Sequence, residues 1–148
     1  MRLNEIMTAG VITATPEASA ISVARKMRDN RVGSVVIVDP AGSPVAMITD
    51  RDVAVRVFAE GRDPDAPVGE HSSRPLICGD PEMELEEAAA LMVQHRVRRL
   101  PVVDGDTLAG IVTIDDIAVR TGDLEVARQM TAEVIEGALP QFYFHDRG

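Results

Sequence analysis

Met47-Ile48-Thr49-Asp50-Arg51-Asp52 decides the fold, because the chain writes it twice: Ile111-Val112-Thr113-Ile114-Asp115-Asp116 repeats it 64 positions later. Upstream, a shift of 65 lays Pro16-Glu17 on Pro81-Glu82, Ala24 on Ala89, Met27 on Met92, Arg31-Val32 on Arg96-Val97 and Val38-Asp39 on Val103-Asp104. The chain is therefore two copies of one unit, residues 1–58 and 68–121, with a connector over 59–67 and a third segment over 122–148. A unit of this size closes only a marginal core, so the copies are expected to pack on each other.

Each copy carries the same punctuation. A short apolar stretch, Val11-Ile12-Thr13 or Leu76-Ile77-Cys78, predicts a strand that ends at the turn holding Pro16 or Pro81. An amphipathic helix follows, with Ile21, Ala24 and Met27 sharing a face in the first copy and Leu85, Ala88, Ala89 and Met92 in the second. Two β-branched runs around a Gly-containing turn come next, residues 35–38 with 45–49 and 100–103 with 109–113. Continuous apolar runs of this kind predict strands covered on both faces. A second helix opens after each Thr, with Asp50 or Asp115 in its first turn, where negative charge suits the helix dipole. The order is β-α-β-β-α, twice: an α/β (α+β) chain whose repeats pack about a pseudo-twofold axis. Gly61, Pro64, Pro67 and their charged neighbours make the connector exposed. Past Gly122, the spacing of Leu124, Ala127, Thr131, Val134 and Ala138 predicts a C-terminal helix.

Composition narrows the function. The 148 residues include 15 basic and 24 acidic side chains, a formal charge of −9, so the long-range field repels a nucleic-acid polymer. A local basic cluster can still hold a small anion. Hydrophobic residues make up 45% but aromatics only 3%, with no Trp, so the core is aliphatic. The single Cys78 closes no intrachain bridge, the N-terminus shows no secretory apolar region, and the longest strongly apolar run, residues 35–38, is far too short to cross a bilayer. The expected location is cytoplasmic. His71, His95 and His145 are too far apart in sequence to form a metal motif, and no metal site is expected. There is no Gly-rich phosphate loop, nucleophile elbow or triad pattern, so the chain does not read as an enzyme.

The repeated order and the paired Thr-x-x-Asp strings resemble a tandem pair of CBS domains, the Bateman module. Ile6-Met7-Thr8 before Gly10-Val11, the helix end His95-Arg96-Val97, and Leu100-Pro101-Val102-Val103-Asp104 add to the likeness, which runs from about Leu3 to Val119. The short chain and Thr49-Asp50-Arg51-Asp52-Val53 resemble stand-alone bacterial two-CBS proteins of the hypoxic-response type. The resemblance implies a non-catalytic regulatory sensor that binds an adenine nucleotide between the repeats, with AMP, ATP or S-adenosylmethionine as the ligand class. It also implies a homodimer. The alternative is a stress-related protein-interaction module with vestigial clefts and an unidentified protein partner.

Carried over residue by residue, the resemblance implies two unequal sites. Site one joins Thr49, Arg51 and Asp52 to Ile77, Cys78, His95, Arg96 and Val97; site two joins Thr113, Asp115 and Asp116 to Ile12, Thr13, Asn30, Arg31 and Val32. In both, the Asp of Thr-x-x-Asp would accept from the ribose hydroxyls, and basic groups would face phosphate. Arg51 stands where the other copy has Asp115, so site one suits phosphorylated ligands and site two is the weaker. From the residues alone, Asp52 and Asp116 read as helix caps rather than ligand contacts, and Thr49 and Thr113 read equally as N-caps. Strand alternation turns Arg98 and Arg99 to opposite faces, which favours Arg96 over them as an anion contact. Cys78 reads as a small buried hydrophobe. The segment Gln141-Phe142-Tyr143-Phe144-His145-Asp146-Arg147-Gly148 holds three of the four aromatics and reads either as a tail packed on its own domain or as one docked on another subunit.

Overall fold

The chain runs α1 (Leu3–Ile6), β1 (Thr13–Ala14), α2 (Ala20–Asn30), β2 (Ser34–Val38), β3 (Pro44–Thr49), α3 (Asp50–Asp52), a π-helical continuation over Val53–Phe58, a 3-10 turn at Val68–Glu70, α4 (Leu85–His95), β4 (Arg99–Asp104), β5 (Thr107–Thr113) and α5 (Ile114–Thr121). The structure, a computed structural model, describes residues 1–73 and 76–122 together with Glu125, Arg128, Gln129 and Ala132. Of the expected helix past Gly122, Glu125, Arg128, Gln129 and Ala132 are helical; its other residues and the aromatic tail lie outside the described residues.

The continuous apolar runs form strands, as expected. β1, β2 and β3 make one sheet in that order, with β1 parallel to β2 and β2 antiparallel to β3; β4 and β5 make a second, antiparallel sheet. Residues 34–37 are all buried, which fits a strand covered on both sides. The first strand of each copy falls later than the apolar stretches suggest. In the first copy it is Thr13–Ala14, and in the second it shrinks to one parallel bridge between Gly79 and Val102. Pro101 supplies the reason. Val36 N–H donates to Ile12 O at 3.1 Å, and at the equivalent position Pro101 has no N–H to give Ile77.

The helical stripe also differs by one residue. α2 buries Ala20, Val23 and Met27, leaving Ile21 36% exposed. Ser19 caps this helix by accepting from Ser22 N–H at 3.2 Å, and the stripe turned to the core is Ala20, Val23 and Met27 rather than Ile21, Ala24 and Met27.

The halves exchange their opening segments. Leu3 N–H donates to Met83 O and Asn4 N–H to Pro81 O, each at 3.0 Å, and Thr8 and Ile111 trade backbone bonds at 2.9 and 3.0 Å. Reciprocally, Val68 N–H donates to Ala18 O and Gly69 N–H to Pro16 O at 2.9 Å, and Ser73 pairs with Met47. A shift of 65 lays Leu3 on Val68 and Thr8 on Ser73, so the exchange obeys the same pseudo-twofold relation as the repeats. Each core is completed by the other copy: Leu3 and Ile6 pack with Met92, Leu100, Val102, Val112 and Ile117, and Val68 packs with Val23, Val35, Ile37 and Ile48. Gly110 lets the first of these segments approach, since a Cβ there would lie 2.8 Å from Met7 Sδ and 3.0 Å from Thr8 O.

Candidate functional site between the repeats

Thr49 and Thr113 open the helices that face the space between the sheets, and each does so through a reciprocal cap. Thr49 Oγ1 accepts from Asp52 N–H at 3.1 Å while Asp52 Oδ2 accepts from Thr49 N–H at 2.9 Å; Thr113 and Asp116 repeat this at 3.0 and 2.9 Å. The spacing that suggests a ligand pair is thus also a capping box, which satisfies two orphan N–H groups at each helix start. Asp52 is buried and its Oδ1 lies 3.6 Å from Arg56 Nε one turn on.

Arg31 and Arg96 close α2 and α4 in the left-handed conformation, with φ of 54° and 55°. A β-carbon is strained there, and Gly is the usual residue. The identical corners aim the chain from each helix into the strand that walls the inter-repeat space.

A cavity of about 750 Å³ lies in that space, within the size range of small-molecule sites. From site one it is lined by Thr49, Arg51, Ile77, Arg96 and Val97, and from site two by Ile12, Arg31, Val32, Thr113 and Asp115. The two candidate sites are therefore ends of one room. Asp52, Cys78 and His95 of the first set and Thr13, Asn30 and Asp116 of the second do not line it. Cys78 is exposed rather than buried, because Gly79, not Cys78, makes the bridge to the sheet. Partial desolvation nevertheless raises its thiol pKa.

The cavity adds groups that the motif comparison passed over or discounted: Asp50, Ser73, Gly33, Arg98 and Arg99. Alternation misjudges the last two because β4 begins only at Arg99, so Arg98 is still in the turn. A Cβ on Gly33 would lie 2.6 Å from Arg99 Nη2 and 3.2 Å from Asp50 Oδ2. Arg99 therefore reaches from its own repeat across to the other. Among the described residues, five arginines, Arg31, Arg51, Arg96, Arg98 and Arg99, line the room against Asp50 and Asp115. None of the five forms an ion pair among the described residues. Such unpaired guanidinium groups match phosphate and carboxylate oxygens.

No group of three or more His, Cys, Asp or Glu side chains is placed to hold a metal ion, and no helix is long and apolar enough to cross a membrane, both among the described residues.

Known proteins share this architecture. The chain is 43% identical over 118 residues to the CBS domain-containing protein YhcV of Bacillus subtilis, covering 80% of this chain and 84% of that one. It is 34% identical over 115 residues to hypoxic response protein 1 of Mycobacterium tuberculosis, covering 77% and 80%. Among solved structures, the CBS-domain pair of protein MJ0100, in complex with 5-methylthioadenosine and S-adenosyl-L-methionine, superposes with a TM-score of 0.75 at 26% identity, over 82% of this chain and 96% of that one. The CBS-domain family model matches residues 3–58 and 68–120. With the repeat, the exchanged segments and the inter-repeat cavity in agreement, the chain belongs to the CBS-domain family, as a tandem pair.

Proposed function

We propose that this CBS pair, a regulatory module, is a non-catalytic sensor that takes a phosphorylated adenine nucleotide into the cavity between its repeats. The observation that carries the reading is the convergence of unpaired arginines from both repeats on one cavity in a chain of formal charge −9. Arg51 and Arg96 face phosphate, Val97 and Ile77 flank the base, and the Thr49 end is the tighter because Arg51 offsets Asp50 in its turn, whereas Asp115 has only Ile114 beside it in the other. Asp52 and Asp116 support the site from behind by fixing the Thr49 and Thr113 turns, each through Oδ2 alone, so a direct ribose contact from either would fall to Oδ1.

A nucleotide that touches both repeats biases their packing only through a difference in affinity between two arrangements. The working unit in this reading is a cytoplasmic homodimer. Apolar side chains on the paired helices support it: Phe58 is 84% exposed and Val119 82%.

Isothermal titration with AMP, ATP and S-adenosylmethionine tests the reading. Saturable binding by at least one, weakened about tenfold or more by Arg51→Gln, supports it, since a charge-assisted hydrogen bond contributes about 1.5–3 kcal/mol. Silence across the panel, with no thermal stabilisation, favours the interaction module that the likeness to hypoxic response protein 1 suggests.

A further inference from the structure

We infer that a second copy of the chain docks with its repeats reversed, α2 of each copy lying antiparallel on α4 of the other. The inference rests on the homodimer in the reading above and names its arrangement.

The pseudo-twofold relation sets α2 and α4 in equivalent places, so position 21 corresponds to 86, 25 to 90 and 28 to 93. Spacings of four and three put each trio in one stripe along its helix. In α2 the stripe runs Ile21, Arg25, Arg28, which is apolar, cation, cation; in α4 it runs Glu86, Ala90, Val93, which is anion, apolar, apolar. Five of these residues are exposed and Val93 is half-buried. Arg25 and Glu86 form no ion pair among the described residues. Arg28 has only Asp29, its exposed neighbour, at 2.8 Å, a surface pair of the kind that contributes little.

These stripes match each other and not themselves. With α2 antiparallel on α4, Ile21 meets Val93, the stem of Arg25 lies along Ala90, and Arg28 meets Glu86. A twofold axis makes the same contact twice. With α2 on α2, Arg25 meets Arg25 and Ile21 meets Arg28; with α4 on α4, Glu86 meets Val93. Each of those pairings desolvates a charge without an opposite one to face it.

The second helix of each repeat agrees. A shift of 64 lays Val55 on Val119 and Phe58 on Gly122. Val55, Val119 and Phe58 are exposed, and a Cβ on Gly122 would meet nothing within 4 Å. Reversal therefore sets valine toward valine and a large ring toward open space, whereas pairing like repeats sets ring against ring.

The test is sedimentation velocity with cysteine cross-linking. We expect a wild-type dimer. Arg28→Glu and Glu86→Arg each put like charges face to face and should weaken it about tenfold or more, while both changes in one chain should restore it to within about threefold. In a Cys78→Ser background, a chain with Arg25→Cys mixed with a chain with Ala90→Cys should form a disulfide-linked dimer on oxidation, and neither chain should do so alone. Cross-linking of Arg25→Cys to itself overturns the inference, because it places like repeats together. A wild-type dimer in which the mixture does not cross-link, or in which the doubly changed chain is no tighter than the singly changed ones, also overturns it while leaving the homodimer in place. A monomeric wild type overturns the inference and the homodimer together. The nucleotide reading is decided separately, by titration of the wild-type chain, and survives each of these outcomes.

Discussion

Arg99 of the second repeat lies over Gly33 of the first, so close that a Cβ on Gly33 would sit 2.6 Å from Nη2. Gly33→Ala is therefore a way to move Arg99 without touching its charge. Because the clash is with the far end of a flexible side chain, the fold is expected to tolerate it, with a urea midpoint near that of the wild type. Affinity for a phosphorylated nucleotide should fall, since Arg99 lines the cavity. A Gly33→Ala chain that binds ATP as well as the parent would show that Arg99 has no fixed station over the first repeat.

Leu3 is fully buried among Met92, Leu100 and Ile117, far from it in sequence. Leu3→Ala should cost about 2–5 kcal/mol, the usual range for emptying a Leu site in a core. Its effect should fall on amides of the second repeat in hydrogen exchange, and Val68→Ala should do the mirror image to the first. If Leu3→Ala loosened only residues of its own repeat, the exchange of segments would be refuted.

The two capping boxes are alike in geometry but not in surroundings. Asp116→Ala removes the N3 half of its capping box, one hydrogen bond from Thr113 N–H, and should lose about 0.5–1.5 kcal/mol. Asp52→Ala removes the same cap and, in addition, the nearly buried carboxylate 3.6 Å from Arg56 Nε, so its loss should be at least as large. Chemical denaturation of both variants decides the order, and a neutral Asp52→Ala would contradict the role assigned to the turn.

Desolvation raises the Cys78 thiol above its ordinary value. The thiolate is the reactive form, so iodoacetamide should label the folded chain more slowly at neutral pH than it labels a free cysteine peptide, and the rate should climb with a higher midpoint. The sign for stability follows: folding retains the proton, so the stabilisation is present below the unfolded-state pKa and fades as pH rises through the folded one. Saturating ATP should leave the labelling rate unchanged, because Cys78 does not line the cavity. A midpoint at or below that of the peptide contradicts the first expectation, and protection by ATP the second.

The duplication made the architecture legible, since the spacing of 65 between Met27 and Met92 and between Arg31 and Arg96, and of 64 between Thr49 and Thr113, leaves few ways to fold two copies. What escaped the sequence has physical causes. Residues 3–8 and 68–73 are too short to show a period, although the same offset of 65 extends through Leu3 and Val68 and was the available signal. Pro101 carries no mark of the strand it truncates except its missing N–H. Ile21 is exposed although its hydrophobicity suggests burial, because which stripe of α2 meets the sheet is decided by packing that the residue types alone do not show. In the cavity, Thr49, Arg51, Arg96, Arg31 and Asp115 were legible from the motif, whereas Gly33 has no side chain to suggest a role and Arg98 and Arg99 were discounted by an alternation that starts one residue too late.

Because each half keeps the other's first turn stitched into its own interior, the peptide link over residues 59–67 is not what holds the molecule together. A nick there would leave two fragments laced through one another, and a force pulling the halves apart would have to unpick a core before it opened the crevice.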